Sequence, residues 1–87
     1  MDPQAEYLAG ELARELGDQK PESVRTFRRL AMAVPHTMLW RAVGEAKLAR
    51  VDGRIRGNVA AFFVGVVKKL AAEANIPLPF KPSPVAA

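Results

Sequence analysis

Eighty-seven residues suffice for one domain and not for two, and a chain this short buries a smaller share of its surface than a typical domain does. It has no cysteine, which excludes disulfides and thiolate metal sites, and its single histidine excludes a two-histidine metal site within one chain. The net charge of +4 is unevenly spread: residues 1 to 22 hold six acidic and two basic side chains (−4), residues 23 to 87 three acidic and eleven basic ones (+8). Such asymmetry suits an anionic partner for the second part, or packing of the acidic segment against the basic one.

The first helix is predicted over residues 3 to 16. Asp2 is placed to cap it, Pro3 fits its first position, and Gly17 fits its end. Ala5, Leu8, Ala9, Leu12, Ala13 and Leu16 recur at three- and four-residue spacing and make one apolar face, while Glu6, Glu11 and Glu15 face water. After the polar turn "GDQKPE", a second helix is predicted over residues 21 to 34, with Val24, Phe27, Leu30, Ala31 and Val34 as its stripe. Its other side sets Arg25, Arg28, Arg29 and Met32 at i, i+3, i+4 and i+7, so three guanidinium groups share about two turns. That ridge suits either a solvated face or a phosphate-binding one.

Pro35 disfavours helical geometry in Val34 and lacks a backbone donor, so a third helix should start at His36 and run to about residue 51. Leu39, Ala42, Val43, Ala46 and Ala49 form its inner face, with Met38, Trp40 and Leu48 flanking and Arg41 and Glu45 as an i, i+4 pair. Trp40 reads as a core or interface anchor rather than a platform for bases. A helix-turn-helix reading of the second and third helices meets three objections: no turn glycine, an abrupt joint at Pro35, and few base-reading side chains on the third helix.

Gly53 should end the third helix and open the loop "GRIRGN", after which Asn58 is a fitting N-cap for a fourth helix ending near Ala74. Val59, Phe63, Val66, Val67, Leu70 and Ala74 make one face, and Phe62 and Val64 point elsewhere. A helix so apolar around its circumference is expected to be the main contributor to the core or to be covered by a partner. Gly65 either allows another helix to approach closely or is merely tolerated. Asn75 suits a left-handed helix closure, Pro77 prevents continuation, and the prolines of "IPLPFKPSP" make residues 76 to 87 an extended tail, either a flexible end or one whose Ile76, Leu78 and Phe80 strap across the bundle or dock on a partner. With neither repeat nor strand alternation, the expected fold is all-α: one compact bundle of about four helices over residues 1 to 75.

Catalytic constellations are missing. His36 suits a first helical turn, Ser23 a helix start, and neither Ser23 nor Ser83 has the strand and sharp turn of a nucleophile elbow. The glycine-bounded Gly53-Arg54-Ile55-Arg56-Gly57 lacks the Lys-Ser/Thr of a phosphate-binding P-loop. An enzyme is not expected, nor a cofactor or a metal. What the loop does offer is two arginines before a helix N-terminus, where unpaired N–H groups and partial positive charge suit a phosphate. Lys47, Arg50 and Arg54 would join Arg56 in a positive patch if the third helix continued.

At "IRGNVAAFFVGVVKKLA" the sequence resembles a segment of bacterial replication-initiator and related mobile-element proteins, in which a basic loop ending in Asn-Pro leads into an Ala-Tyr-Phe helix with a later basic pair. Ile55, Arg56, Asn58, Ala61, Phe62, Phe63, Lys68 and Lys69 carry the likeness. Gly57 before the asparagine, Val59 in place of proline and Phe62 in place of tyrosine depart from it. The resemblance covers residues 54 to 74 and implies a DNA-associated context, often as an accessory helical element beside the domain that recognises DNA.

The reading from sequence is therefore a small basic module that associates with nucleic acid, DNA rather than RNA, or with a nucleoprotein complex. Arg25, Arg28, Arg29, Lys47, Arg50, Arg54 and Arg56 would contact phosphates. The alternative is a protein-interaction or oligomerisation subunit, with Trp40 and Phe62 at the interface with a second copy or a larger protein. No window reaches the ~18 apolar residues of a membrane span and no secretory signal opens the sequence, so no membrane partner and a soluble, cytoplasmic location are expected.

Overall fold

Proline, glycine and asparagine punctuate the chain where its helices begin and end. The computed structural model describes residues 3–55 and 57–78. The expectations placed on Arg56 and on the proline-rich segment from residue 79 onward lie outside these residues. Four helices are present: α1 (Pro3–Leu16), α2 (Pro21–Ala33), α3 (His36–Val51) and α4 (Val59–Glu73), with no strand among the described residues.

Three of the four helices close in the same way. At Gly17 (φ +68°), Gly53 (φ +72°) and Asn75 (φ +59°) the chain turns left-handed. The next residue's N–H then reaches back to the helix: Asp18 to Ala13 O at 2.9 Å, Arg54 to Ala49 O at 2.9 Å, Ile76 to Ala71 O at 2.8 Å. These are Schellman closures, in which carbonyls left unpaired by the last turn find donors. α2 ends differently, because Pro35 forces Val34 into extended geometry.

The α1–α2 turn contains the one buried polar residue among those described, Asp18, 7% exposed. Its carboxylate accepts the Lys20 backbone N–H (3.2 Å) and the Ser23 hydroxyl (2.9 Å), serving a helix start whose own N-cap, Lys20, makes no side-chain cap bond. Ser23 is thereby a structural residue. Asp18→Ala would leave the Lys20 N–H and the Ser23 hydroxyl unpaired, and it is expected to cost about 1–2 kcal/mol in urea unfolding followed by far-UV circular dichroism.

α1 packs on α2 and α3 on α4, giving two helical hairpins, and α1 also lies against α3. Glu6 contacts α2 and Glu15 contacts α3. These residues are nine positions apart, about half a turn in projection, so α2 and α3 grip α1 from opposite flanks. α2 meets α4 through Phe27 and Phe63, both fully buried, with ring centroids 5.6 Å apart and planes at 88°. Residues of both hairpin turns, among them Gly17, Lys20, Gly57 and Asn58, border one shallow depression at the same end of the bundle.

The buried faces of α1 and α3 are those expected from spacing: Ala5, Leu8, Ala9, Leu12, Ala13 and Leu16 on the first, Leu39, Ala42, Val43, Ala46 and Ala49 on the second. α4 departs from expectation. Its buried residues are Ala60, Phe63, Val67, Leu70 and Ala71, while Val59 and Val66 are half-buried and Ala74 is exposed. The face is rotated toward its two alanines, and Ala60 lies beside Ser23, Thr26 and Phe27 of α2. α1, not α4, supplies the most buried positions, because three alanines on its inner face let it sit between two helices. After Asn75, Ile76 and Leu78 are partly buried and packed against the core.

Gly10 and Gly65 lie mid-helix, exposed, with nothing within 4 Å of where a Cβ would stand. Among the described residues, no helix approaches Gly65. Gly10→Ala and Gly65→Ala are each expected to raise stability by about 0.5–1 kcal/mol, read from the urea midpoint, by restoring helix propensity at no steric cost.

Candidate nucleic-acid interface

Seven basic residues are the candidates for phosphate contact, and the packing of α1 sorts them. On α2, Arg25 and Arg29 are exposed on the outward face, one turn apart, beside the exposed Met32. Arg28 turns toward α1 and donates from Nη1 to Glu6 Oε1 at 2.7 Å. At the other flank, the Lys47 ammonium donates to the Glu15 carboxylate of α1. That hydrogen bond and the accompanying charge hold the Glu15 carboxyl below the usual carboxylate range. The acidic segment thus packs against the basic one at two points, absorbing part of the charge asymmetry within the molecule.

The α3–α4 loop is organised more tightly than its glycines suggest. α3 stops at Val51, so Arg54 is not on the helix. Its backbone is fixed by the bond to Ala49, and its Nε lies 3.5 Å from Asp52 Oδ2. Arg50 is exposed on the last turn of α3, a guanidinium nitrogen 3.8 Å from the position a Cβ on Gly17 would take. Asn58 is the N-cap of α4: its Oδ1 accepts from Ala60 N at 2.7 Å and Ala61 N at 3.4 Å. Two of the amide donors that a phosphate would use at this helix start are therefore engaged, and the loop offers its side chains beside those that remain.

Among the six described candidates, Arg28, Lys47 and Arg54 have carboxylate partners, and Arg25, Arg29 and Arg50 have none. The α2 group and the α3 group stand on helices that flank α1 from opposite sides, so they do not merge into one patch. Arg41 and Glu45, expected to pair, form no ion pair; both are exposed.

Of the two candidate interface aromatics, Trp40 is 42% exposed and Phe62 is half-buried against the core. The centre of the outward face of α3 carries Trp40, Gly44, Leu48 and Val51 rather than the amides and guanidiniums of a base-reading helix. Sequence reasoning does not pick out Leu48 and Val51 as a set with Trp40; their four- and three-residue spacing from Gly44 and Leu48 is the signal that could. Asp18 carries no such signal, since its burial depends on α1 and α2 folding back on each other.

A surface groove of about 440 Å³ between the start of α3 and the end of α4 is lined by Pro35, Met38 and Leu70 with Arg41 and Glu73. Among the described residues no three His, Cys, Asp or Glu side chains gather as a metal site, and no helix is long and apolar enough to cross a membrane. No family model matches the chain, and no curated protein or solved structure is found similar to it.

Proposed function

We propose that this protein is a small helical module that associates with nucleic acid, DNA in preference to RNA, or with a nucleoprotein assembly, by guanidinium–phosphate contacts with little base selectivity. The observation that carries the reading is the pair Arg25 and Arg29, exposed one turn apart on α2 with no carboxylate partner among the described residues. Unpaired guanidiniums in water bind phosphate without first giving up an internal ion pair. Arg50 extends the same chemistry to the end of α3, and Arg54 joins it when phosphate outcompetes Asp52. Arg28 and Lys47 take a lesser part, because Glu6 and Glu15 hold them. The resemblance of residues 54 to 74 to replication-initiator and mobile-element segments points to the same context.

The test is fluorescence anisotropy of labelled duplex DNA, single-stranded DNA and RNA titrated with the full chain at several salt concentrations. Micromolar binding that weakens steeply with salt is the expected result. Binding absent at low salt would overturn the reading. In that case the outward apolar stripe of α3 would favour a second reading, a subunit that acts by protein contact alone.

A further inference from the structure

α3 is apolar on two sides. Opposite its buried face, Trp40, Gly44, Leu48 and Val51 fall within about 80° of arc and form one outward stripe about three turns long. Leu48 is 57% and Val51 83% exposed, and with Trp40 they are three of the five large apolar side chains that stand exposed on the described chain. Together they expose on the order of 300 Å², the scale of the largest apolar patch on a typical monomer, which is often functional. Over Gly44 the stripe is open: a Cβ there would meet nothing within 4 Å.

The charges beside the stripe identify its occupant. Arg41, Glu45 and Asp52 run along one flank, the side on which Arg41 borders the groove with α4. Lys47 runs along the other, bonded to Glu15 of α1. Arg41 and Asp52 are about three turns apart, and the midpoint between them coincides with the midpoint of the stripe, next to Ala46. Place two α3 helices antiparallel across a two-fold axis at that midpoint, and the same flank of each copy faces the other. Arg41 of one copy then comes opposite Asp52 of the other, twice. Leu48 comes opposite Gly44 and fills the open space above it, and Trp40 covers Val51. Beside the axis the two Lys47 side chains are each neutralised by Glu15, and the two Glu45 side chains lie exposed on the Arg41 flank, between the reciprocal Arg41–Asp52 contacts. A parallel pair would set the Arg41 flank against the Lys47 flank and forfeit the match.

We propose that α3 carries a self-association site, through which two copies of this chain form an antiparallel two-fold dimer with Trp40, Leu48 and Val51 at its centre and reciprocal Arg41–Asp52 contacts at its corners. Arg41 has no carboxylate partner of its own among the described residues, and Asp52 has the 3.5 Å contact with Arg54. Two patches of this size, with their flanks, fall below the ~1,200 Å² of a standard interface, so the dimer is weak, with a Kd on the order of 10–100 μM.

The full chain is studied by sedimentation equilibrium from about 5 to about 500 μM, bracketing that Kd, with emission of Trp40 followed over the same range. Trp40 is the chain's single tryptophan, so its emission reports this face alone. The expected result is a mass that rises to that of a dimer as the emission shifts to shorter wavelength. Leu48→Glu should abolish both changes with the helical circular dichroism intact, since Leu48 lies outside the core. Arg41→Asp and Asp52→Arg should each weaken association by about fivefold or more, and the double variant should recover most of it. A monomeric mass throughout, a double variant no stronger than the single ones, or a dimer indifferent to Leu48→Glu would each overturn the proposal.

Discussion

Replacing Phe63 by alanine is expected to remove about 3–5 kcal/mol of stability, the range for truncating a fully buried phenylalanine. Phe63 is fully buried, and its edge-to-face contact with Phe27 is the main tie between α4 and α2. Truncation leaves a cavity between two helices that have little else to close it, and it removes an aromatic pair worth about 0.5–1.5 kcal/mol beyond its buried area. A domain of this size has a total stability of about 5–10 kcal/mol, so the variant should begin to unfold near room temperature. Urea titration by circular dichroism reads the loss directly. Phe62→Ala is the internal control: next in sequence but only half-buried, it should cost about 1 kcal/mol or less. Equal losses at the two positions would mean that α4 is rotated from the orientation described.

The second large effect concerns phosphate binding. Arg25→Ala/Arg29→Ala is expected to weaken duplex DNA binding at least tenfold at low salt and to lower the log–log salt slope by about two units, one for each guanidinium removed from a phosphate. Neither arginine has a carboxylate partner among the described residues, so the fold should be unaffected. Arg54→Ala should have a smaller effect, because Asp52 already shares that guanidinium. Glu6→Gln should act in the opposite direction. Removing the carboxylate 2.7 Å from Arg28 frees a third cation on α2 and should tighten binding about twofold to threefold. Anisotropy titrations of the three variants beside the parent chain check the order. If Arg54→Ala outweighs the α2 double variant, the loop and not α2 is the contact surface.

The helix ends were legible because their causes are local. Gly17, Gly53 and Asn75 take the left-handed backbone, Pro21 and Pro35 dictate starts, and Asn58 caps with its own side chain, each within a window of about six residues. The inner faces of α1 and α3 were legible because polar residues alternate with apolar ones at helical period. α4 offers no such contrast: with valine, phenylalanine or alanine at nearly every position of its first turns, periodicity does not say which side faces in. Packing decides it: Phe63 meets Phe27, and Ala60 lies beside α2.

The candidate site was legible as residue types and not as an arrangement. The ridge Arg25, Arg28, Arg29 was readable from spacing, but which of the three pairs with a carboxylate depends on Glu6, 22 residues from Arg28. Lys47 likewise meets Glu15 across 32 residues. The Asn58 cap is readable from its place before an apolar run, whereas its consequence for the loop, that two amide donors at the start of α4 are already taken, emerges only from the bond geometry.

The division into two helical hairpins bears on how the chain reaches its folded state. Most packing joins neighbours in sequence, α1 with α2 and α3 with α4, so loop closure during folding is short and each hairpin is able to nucleate by itself. The seam between them is the Val34–Pro35 joint, where the backbone is extended and the helical hydrogen-bond ladder is interrupted. Local opening should follow that seam, with amides of each hairpin exchanging as a set rather than helix by helix. A chain cut at Pro35 would retain both turns, both hairpins and the Asp18 cap, and would reassemble from its halves through the Phe27–Phe63, α1–α3 and α2–α3 contacts.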